Sequence, residues 1–263
     1  MKILFCQLLF TLALLPLAAQ VSKPEAAFQH LNELHWKLRF QDDCTSNWQK
    51  RWHKDGERAH IVHSEKGMSY FAGTEAYNDS CHTVLWTKKQ FSGNLKIEYD
   101  YTRLDTSIAS AVNIIYLLAS GSGEGPYKKN RFKWNELRRV PAMRTYFNHV
   151  NTYHISYAAF GNQHPEPDYV RARRYLPETG KGLEGTELQP EYLDTGLFQP
   201  GVKHHITVIR HGANLYLKAE NEKDNRIFWF DTSTLPPVNK GRIGLRHMWT
   251  RAACYANFKV YEL

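Results

Sequence analysis

The chain has 263 residues, 42% of them hydrophobic in the broad sense and 23% charged, an ordinary globular balance rather than that of a disordered or membrane-embedded polypeptide. Lys and Arg outnumber Asp and Glu by 34 to 26, and the resulting formal charge of +8 favours a polyanionic partner without specifying one. Behind Lys2, residues 3–19 form an apolar run interrupted mainly by Cys6, Gln7, Thr11 and Pro16, with Ala18 and Gln20 near a plausible cleavage point. That is the pattern of a secretory signal over residues 1–20. It predicts a secreted or periplasmic single domain over 21–263, and the run is too short for stable membrane insertion. Beyond it only Cys44, Cys81 and Cys254 remain, an odd set with no Cys-x-x-Cys spacing and too sparse for a disulfide scaffold.

Residues 21–36 carry Ala26, Phe28, Leu31, Leu34 and Trp36 at mixed helical spacings, enough for one short helix. Short aromatic and β-branched stretches follow at 48–52, 59–63 and 68–71. The clearest strand signals are 83–87, 95–101, 111–119, 153–160, 205–210, 214–220 and 226–231, with 241–246 and 256–263 closing the chain. Turn residues at 92–93, 121–125, 161–162, 211–212, 221–225 and 236–237 separate them. This pattern predicts an all-β, two-sheet sandwich. Within 95–102, Leu95, Ile97, Tyr99 and Tyr101 alternate with Lys96, Glu98, Asp100 and Thr102, so one face is core and the other meets solvent or a groove. Residues 111–119 are apolar on both faces apart from Asn113 and Tyr116, as in a central strand that is covered on both sides or borders a cleft. Two long connections, 121–150 and 161–198, concentrate arginines, lysines and aromatics and are expected to be cleft-forming loops, the first shortened by a helical turn at 134–138.

The stretches Val84-Leu85-Trp86-Thr87, Ile97-Glu98-Tyr99-Asp100-Tyr101 and Tyr153-His154-Ile155-Ser156-Tyr157 resemble a secreted bacterial family of concanavalin-like jelly rolls associated with polysaccharide breakdown. The ending Gly241-Arg242-Ile243-Gly244-Leu245-Arg246, with Tyr255-Ala256-Asn257-Phe258, is similar to the closing strands of a wider group of sugar-binding and sugar-cleaving jelly rolls. The resemblance implies a concanavalin/galectin-like jelly roll and carbohydrate chemistry. It carries over no catalytic residue.

For an acidic polysaccharide or oligosaccharide, β-elimination needs a base beside a uronate carboxylate, a cation to neutralise that carboxylate, and an acid for the departing oxygen. His154 is the first candidate base, because Ser156 and Ala158 on its strand face leave room for a substrate. His149 and Tyr146 are candidates for the second proton transfer. Arg144, Arg173 and Arg246 can present paired donors to an acidic group, while Asn113, Trp134 and His247 complete the expected substrate-binding set. The leading expectation is therefore a lyase or dehydratase acting on uronic-acid glycans. The alternatives are a glycoside hydrolase and a non-catalytic carbohydrate-binding module. Glu98-x-Asp100 looks like part of a Glu-x-Asp-x-x-Glu glycosidase pattern, but Arg103 occupies the place of the last acid. No cofactor is required by this chemistry; structural calcium would suit acid-rich turns such as 220–224, and the sequence does not fix a metal. Nucleic acid is not an expected partner, and a monomer is expected.

Overall fold

A computed structural model describes residues 23–109, 111–160 and 164–263; the expected signal segment lies outside the described residues. Helix α1 (Lys23–Asn32) opens the chain. Strands β1 (Lys37–Asp42), β2 (Trp52–Asp55), β3 (His60–Ser64), β4 (Gly67–Phe71), β5 (Thr83–Thr87), β6 (Phe91–Ser92), β7 (Leu95–Arg103) and β8 (Asn113–Gly121) follow. A 3-10 segment, Arg131–Arg138, and helix α2 (Met143–His149) come next. The chain then runs through β9 (Val150–Tyr157), β10 (Tyr169–Tyr175), β11 (Glu187–Leu193), β12 (Lys203–His211), β13 (Asn214–Glu220), β14 (Asn225–Asp231), β15 (Lys240–His247) and β16 (Ala252–Glu262).

The strands form two antiparallel sheets. The first has the order β14-β13-β12-β7-β16-β4-β3 with β1 on β16; the second has the order β11-β10-β9-β8-β15-β5-β2 with β6 on β15. Their facing sides make the main core, with Ile97, Tyr99, Val208, Leu217 and Phe258 from one sheet and Leu85, Ile115, Tyr153, Ile155 and Leu245 from the other. This is the expected all-β jelly-roll sandwich. Helix α1 buries Phe28 and Leu31 with Ile209 and Tyr216, away from that core.

A second core lies on the outer face of the second sheet. Val84, Trp86, Ile114 and Tyr116 pack there under Trp134, Tyr146 and Val150, so the 121–150 segment is a folded cover rather than an open loop. The backbone of β15 passes close beneath it: a Cβ on Gly244 would meet Cζ3 of Trp86 at 2.3 Å. The 161–198 connection also departs from expectation, because it contains β10 and β11. Val170 and Ala172 of β10 enter the main core while Tyr169, Arg171, Arg173 and Tyr175 turn outward, and the arginines hide this alternation in the sequence.

Candidate functional site

Period-two alternation sends Tyr153, Ile155 and Tyr157 of β9 into the main core and leaves His154 and Ser156 on the outer face of the second sheet. Tyr175 and Arg173 reach the same face from β10, which pairs Arg173 with His154 in register. Met143 of the cover, Leu183 and Met248 close the sides. The result is a pocket of about 210 Å³, lined also by Val112, Ile114 and Tyr169.

Its floor is a short polar chain. His154 Nδ1 lies 2.6 Å from the Tyr175 hydroxyl and Nε2 lies 2.5 Å from Ser156 Oγ. Burial drives the His154 pKa well below the ordinary histidine value, and the charges of Arg173 and Arg246 push the same way. The ring is therefore neutral at pH 7, with one N–H and one bare nitrogen. One flanking hydroxyl accepts from the ring and retains its own O–H; the other donates to the ring and retains lone pairs. The two spare functions lie on opposite sides of the ring, one at Ser156 and one at Tyr175. On the wall, Arg173 Nη1 donates to Thr186 Oγ1 at 3.1 Å and pairs with Glu187.

The other expected site residues fall into three different environments. Tyr146 and Trp134 are buried in the cover. Tyr146 donates its hydroxyl to Asp55 Oδ2 at 2.9 Å, and Trp134 Nε1 donates to the Lys128 carbonyl at 2.9 Å. Burial and the Asp55 carboxylate hold the Tyr146 hydroxyl well above its usual pKa, so it stays protonated. Arg246 is also buried there, donating through Nη2 to the Pro141 carbonyl and lying 2.7 Å from His82 Nδ1, with its guanidinium over the Tyr146 ring. Asn113 and His247 belong to the space between the sheets. The Asn113 side chain accepts from the Tyr101 hydroxyl at 3.2 Å, and His247 Nε2 lies 2.8 Å from the Tyr255 hydroxyl. His149 and Arg144 sit at the outer side of α2, where His149 stacks on Tyr127 and Arg144 is exposed. The structure therefore brings His154 and Arg173 together and disperses the rest.

Beneath the cover, Asp55 Oδ2 accepts from Arg138 Nε at 2.7 Å, Trp86 Nε1 at 2.8 Å and Arg131 Nη2 at 3.4 Å, besides Tyr146. Burial alone would raise the Asp55 pKa, but Arg138 and Arg131 outweigh it and hold the carboxyl ionised. This cluster fixes the cover on the sheet and so fixes one side of the pocket. Sequence reasoning missed Asp55, Tyr175, Met143 and Met248. Ser156 was legible from its place two residues along from His154.

A larger cleft of about 860 Å³ opens at one end of the first sheet, between residues 196–205 and the β13–β14 turn. In that turn the Asn221 side-chain oxygen accepts from the Lys223 and Asp224 amides, both at 2.8 Å. Among the described residues no group of three or more His, Cys, Asp or Glu side chains could hold a metal ion, the 220–224 turn included. The Glu98 and Asp100 carboxylates form separate clusters on the first sheet: Glu98 with Lys96 and Tyr261, Asp100 with Lys203, His205 and Asn257.

No family model matches the chain, and no curated protein matches its sequence. Solved structures do. A Bacillus subtilis protein of unknown function with a galectin-like fold matches with a TM-score of 0.60 at 17% identity, over 86% of this chain and 98% of that one. The legume lectin-like domain from Entamoeba histolytica matches at 0.54 and 6% identity, over 85% and 97%. The exoplasmic/lumenal domain of VIP36, in a form bound to Ca2+ and Man3GlcNAc, matches at 0.52 and 10% identity, over 82% and 84%. These likenesses establish the lectin-like jelly-roll fold.

They also correct the expected activity. The eliminating enzyme read from the sequence required His154, a second proton-transfer group from Tyr146 or His149, and neutralising arginines around one ligand. Tyr146 instead donates to Asp55 under the cover, and Arg246 is engaged with His82 and Pro141. Of these matched structures, one is named as a lectin-like domain and one as a sugar-bound lumenal domain, and neither is named as a lyase. The lyase or dehydratase reading, with its uronate substrate and its link to polysaccharide degradation, does not stand.

Proposed function

We propose that the chain is a glycan-binding module, exported through residues 1–20, that takes one sugar unit in the pocket floored by His154. The observation that carries this reading is the polar floor of Ser156, His154 and Tyr175, built on a neutral imidazole and set between apolar walls. Sugar hydroxyls can hydrogen-bond to such a floor, and the nonpolar face of a pyranose suits Met143 and Met248. At about 210 Å³ the pocket is smaller than the roughly 300–1,000 Å³ usual for a whole small-molecule ligand, which favours a chain end over an internal segment. The fold shared with lectin-like domains supports the same class, and sugar binding by VIP36 supplies a precedent. The net charge of +8 favours an acidic glycan over a neutral one.

The test is a titration of the folded protein against neutral and acidic oligosaccharides, with product masses recorded. Binding without change of sugar mass is expected. Ser156→Ala and Arg173→Ala should each weaken it at least about tenfold, the effect of losing roughly 1.4 kcal/mol of polar contact, while the melting temperature holds. Wild-type affinity in both variants, or no binding across the panel, would refute the reading.

A further inference from the structure

The large cleft at the end of the first sheet is walled by two loops that meet on one buried side chain. His204, the second residue of β12, is fully buried and packs at a tilt against Phe198 at a ring-centroid distance of 4.8 Å. Its Nε2 faces the Phe198 backbone amide at 3.3 Å and the Asn221 side-chain nitrogen at 3.0 Å, and its Nδ1 lies 3.1 Å from the Val202 carbonyl. Phe198 and Val202 belong to one wall and Asn221 to the other.

We propose that protonation of His204 releases these two walls from each other, so that the shape of the cleft responds to mild acid.

The hydrogen-bond inventory determines the ring's state. The Asn221 oxygen already accepts two backbone amides of its own turn, so its nitrogen must be the atom turned to His204. His204 Nε2 therefore faces two donors and must be bare. Nδ1 faces a carbonyl and must carry the proton. This neutral tautomer satisfies all three contacts. A second proton, on Nε2, would set an N–H against two N–H groups in a buried place, and both links between the walls would be lost.

The surroundings oppose charging of the closed form. Burial lowers the His204 pKa, and it outweighs the Val202 carbonyl and the charge of Asp224, which favour the proton. Among the remaining charged groups around the cleft, Lys203 and His205 turn to Asp100 on β7, and Glu220 pairs with Lys218. Glu222 and Lys223 stand at the turn itself and line the cleft. Residues 196–202 contribute no ionisable side chain. Once the loops part, the ring returns toward its ordinary pKa near 6.5, so the open form takes up the proton first as pH falls.

Hydrogen exchange of the full chain, corrected for intrinsic rates and followed from pH 7.5 to 5.0, reads this equilibrium in residues 196–202 and 221–224. Opening should grow as pH drops below about 6.5, approaching tenfold per pH unit until the closed form itself titrates. His204→Gln, whose side-chain oxygen can accept the same two donors, should retain protection and lose the pH dependence, whereas His205→Gln should keep it. The proposal fails if exchange in both wild-type segments is flat across this range, if His204→Gln keeps the pH response, or if His205→Gln abolishes it. Should His204→Gln not fold, the wild-type profile together with the His204 imidazole titration by NMR decides the matter. None of these readouts depends on glycan binding.

Discussion

The two sheets of the sandwich treat their outer faces differently. Along β7 every second residue is buried, and the outward side chains Lys96, Glu98 and Asp100 stay at the surface in ion pairs. Along β8 nearly every residue is buried, because Ile114 and Tyr116 on the outer face lie under the 121–150 cover. A surface salt bridge keeps its water and costs little to lose. The Asp55 cluster has no such reserve: its carboxylate and the Arg131 and Arg138 guanidiniums are almost wholly withdrawn from solvent. The same type of interaction is thus decoration on one face and a fixture on the other.

The largest expected effect comes from Asp55→Ala. Removing the carboxylate leaves two guanidiniums buried without a counter-charge, and chemical denaturation should show a loss of about 3–5 kcal/mol. A loss below about 1 kcal/mol would mean that water reaches the cluster and the contrast between the faces is weaker than described. Next is acid. Burial lowers the His154 pKa far below 6.5 and, together with Arg246, brings that of His82 down to about 2. Between about pH 6.5 and those lower values the unfolded chain binds the protons and the folded chain does not, so stability falls as pH falls. The slope expected from these two rings approaches roughly 3 kcal/mol per pH unit, read from denaturation midpoints between pH 6 and 5. The smallest effect belongs to the other sheet: Arg39→Ala, which removes the Arg39–Glu262 pair, should change stability by less than about 1 kcal/mol.

Much of the sandwich was legible because its strands alternate or run apolar between turn residues. The expected strands at 83–87 and 214–220 match β5 and β13, and 95–101 falls within β7. The short N-terminal helix also appears, as Lys23–Asn32. The errors gather where charged residues lie inside the fold. Arg171, Arg173 and Arg174 made β10 look like a loop, although Arg174 is buried and donates to the Pro236 carbonyl. Arg131 and Arg138, with the other basic residues of 121–150, made the cover look like a cleft-forming loop. Sequence spacing showed that His154 and Ser156 share a face, since two residues of one strand settle that. It could not show Tyr175 beside them or Asp55 beneath Tyr146, because those contacts join positions 21 and 91 residues apart. Grouping Arg246 with His154 on chemical type alone was the step that carried the reading too far.

The bare backbone at Gly244 has a reach beyond its own strand. Because no methyl group stands there, the Trp86 indole can lie down on β15, and the Arg131 guanidinium can rest on that indole with its carbon 3.3 Å from the ring centroid. An alanine at this position would lift the indole like a wedge under a floorboard. Everything stacked above it, from the arginine to the helix that borders the His154 pocket, would have to find a new height, so the dimensions of a binding hollow are set in part by a hydrogen atom on the neighbouring strand.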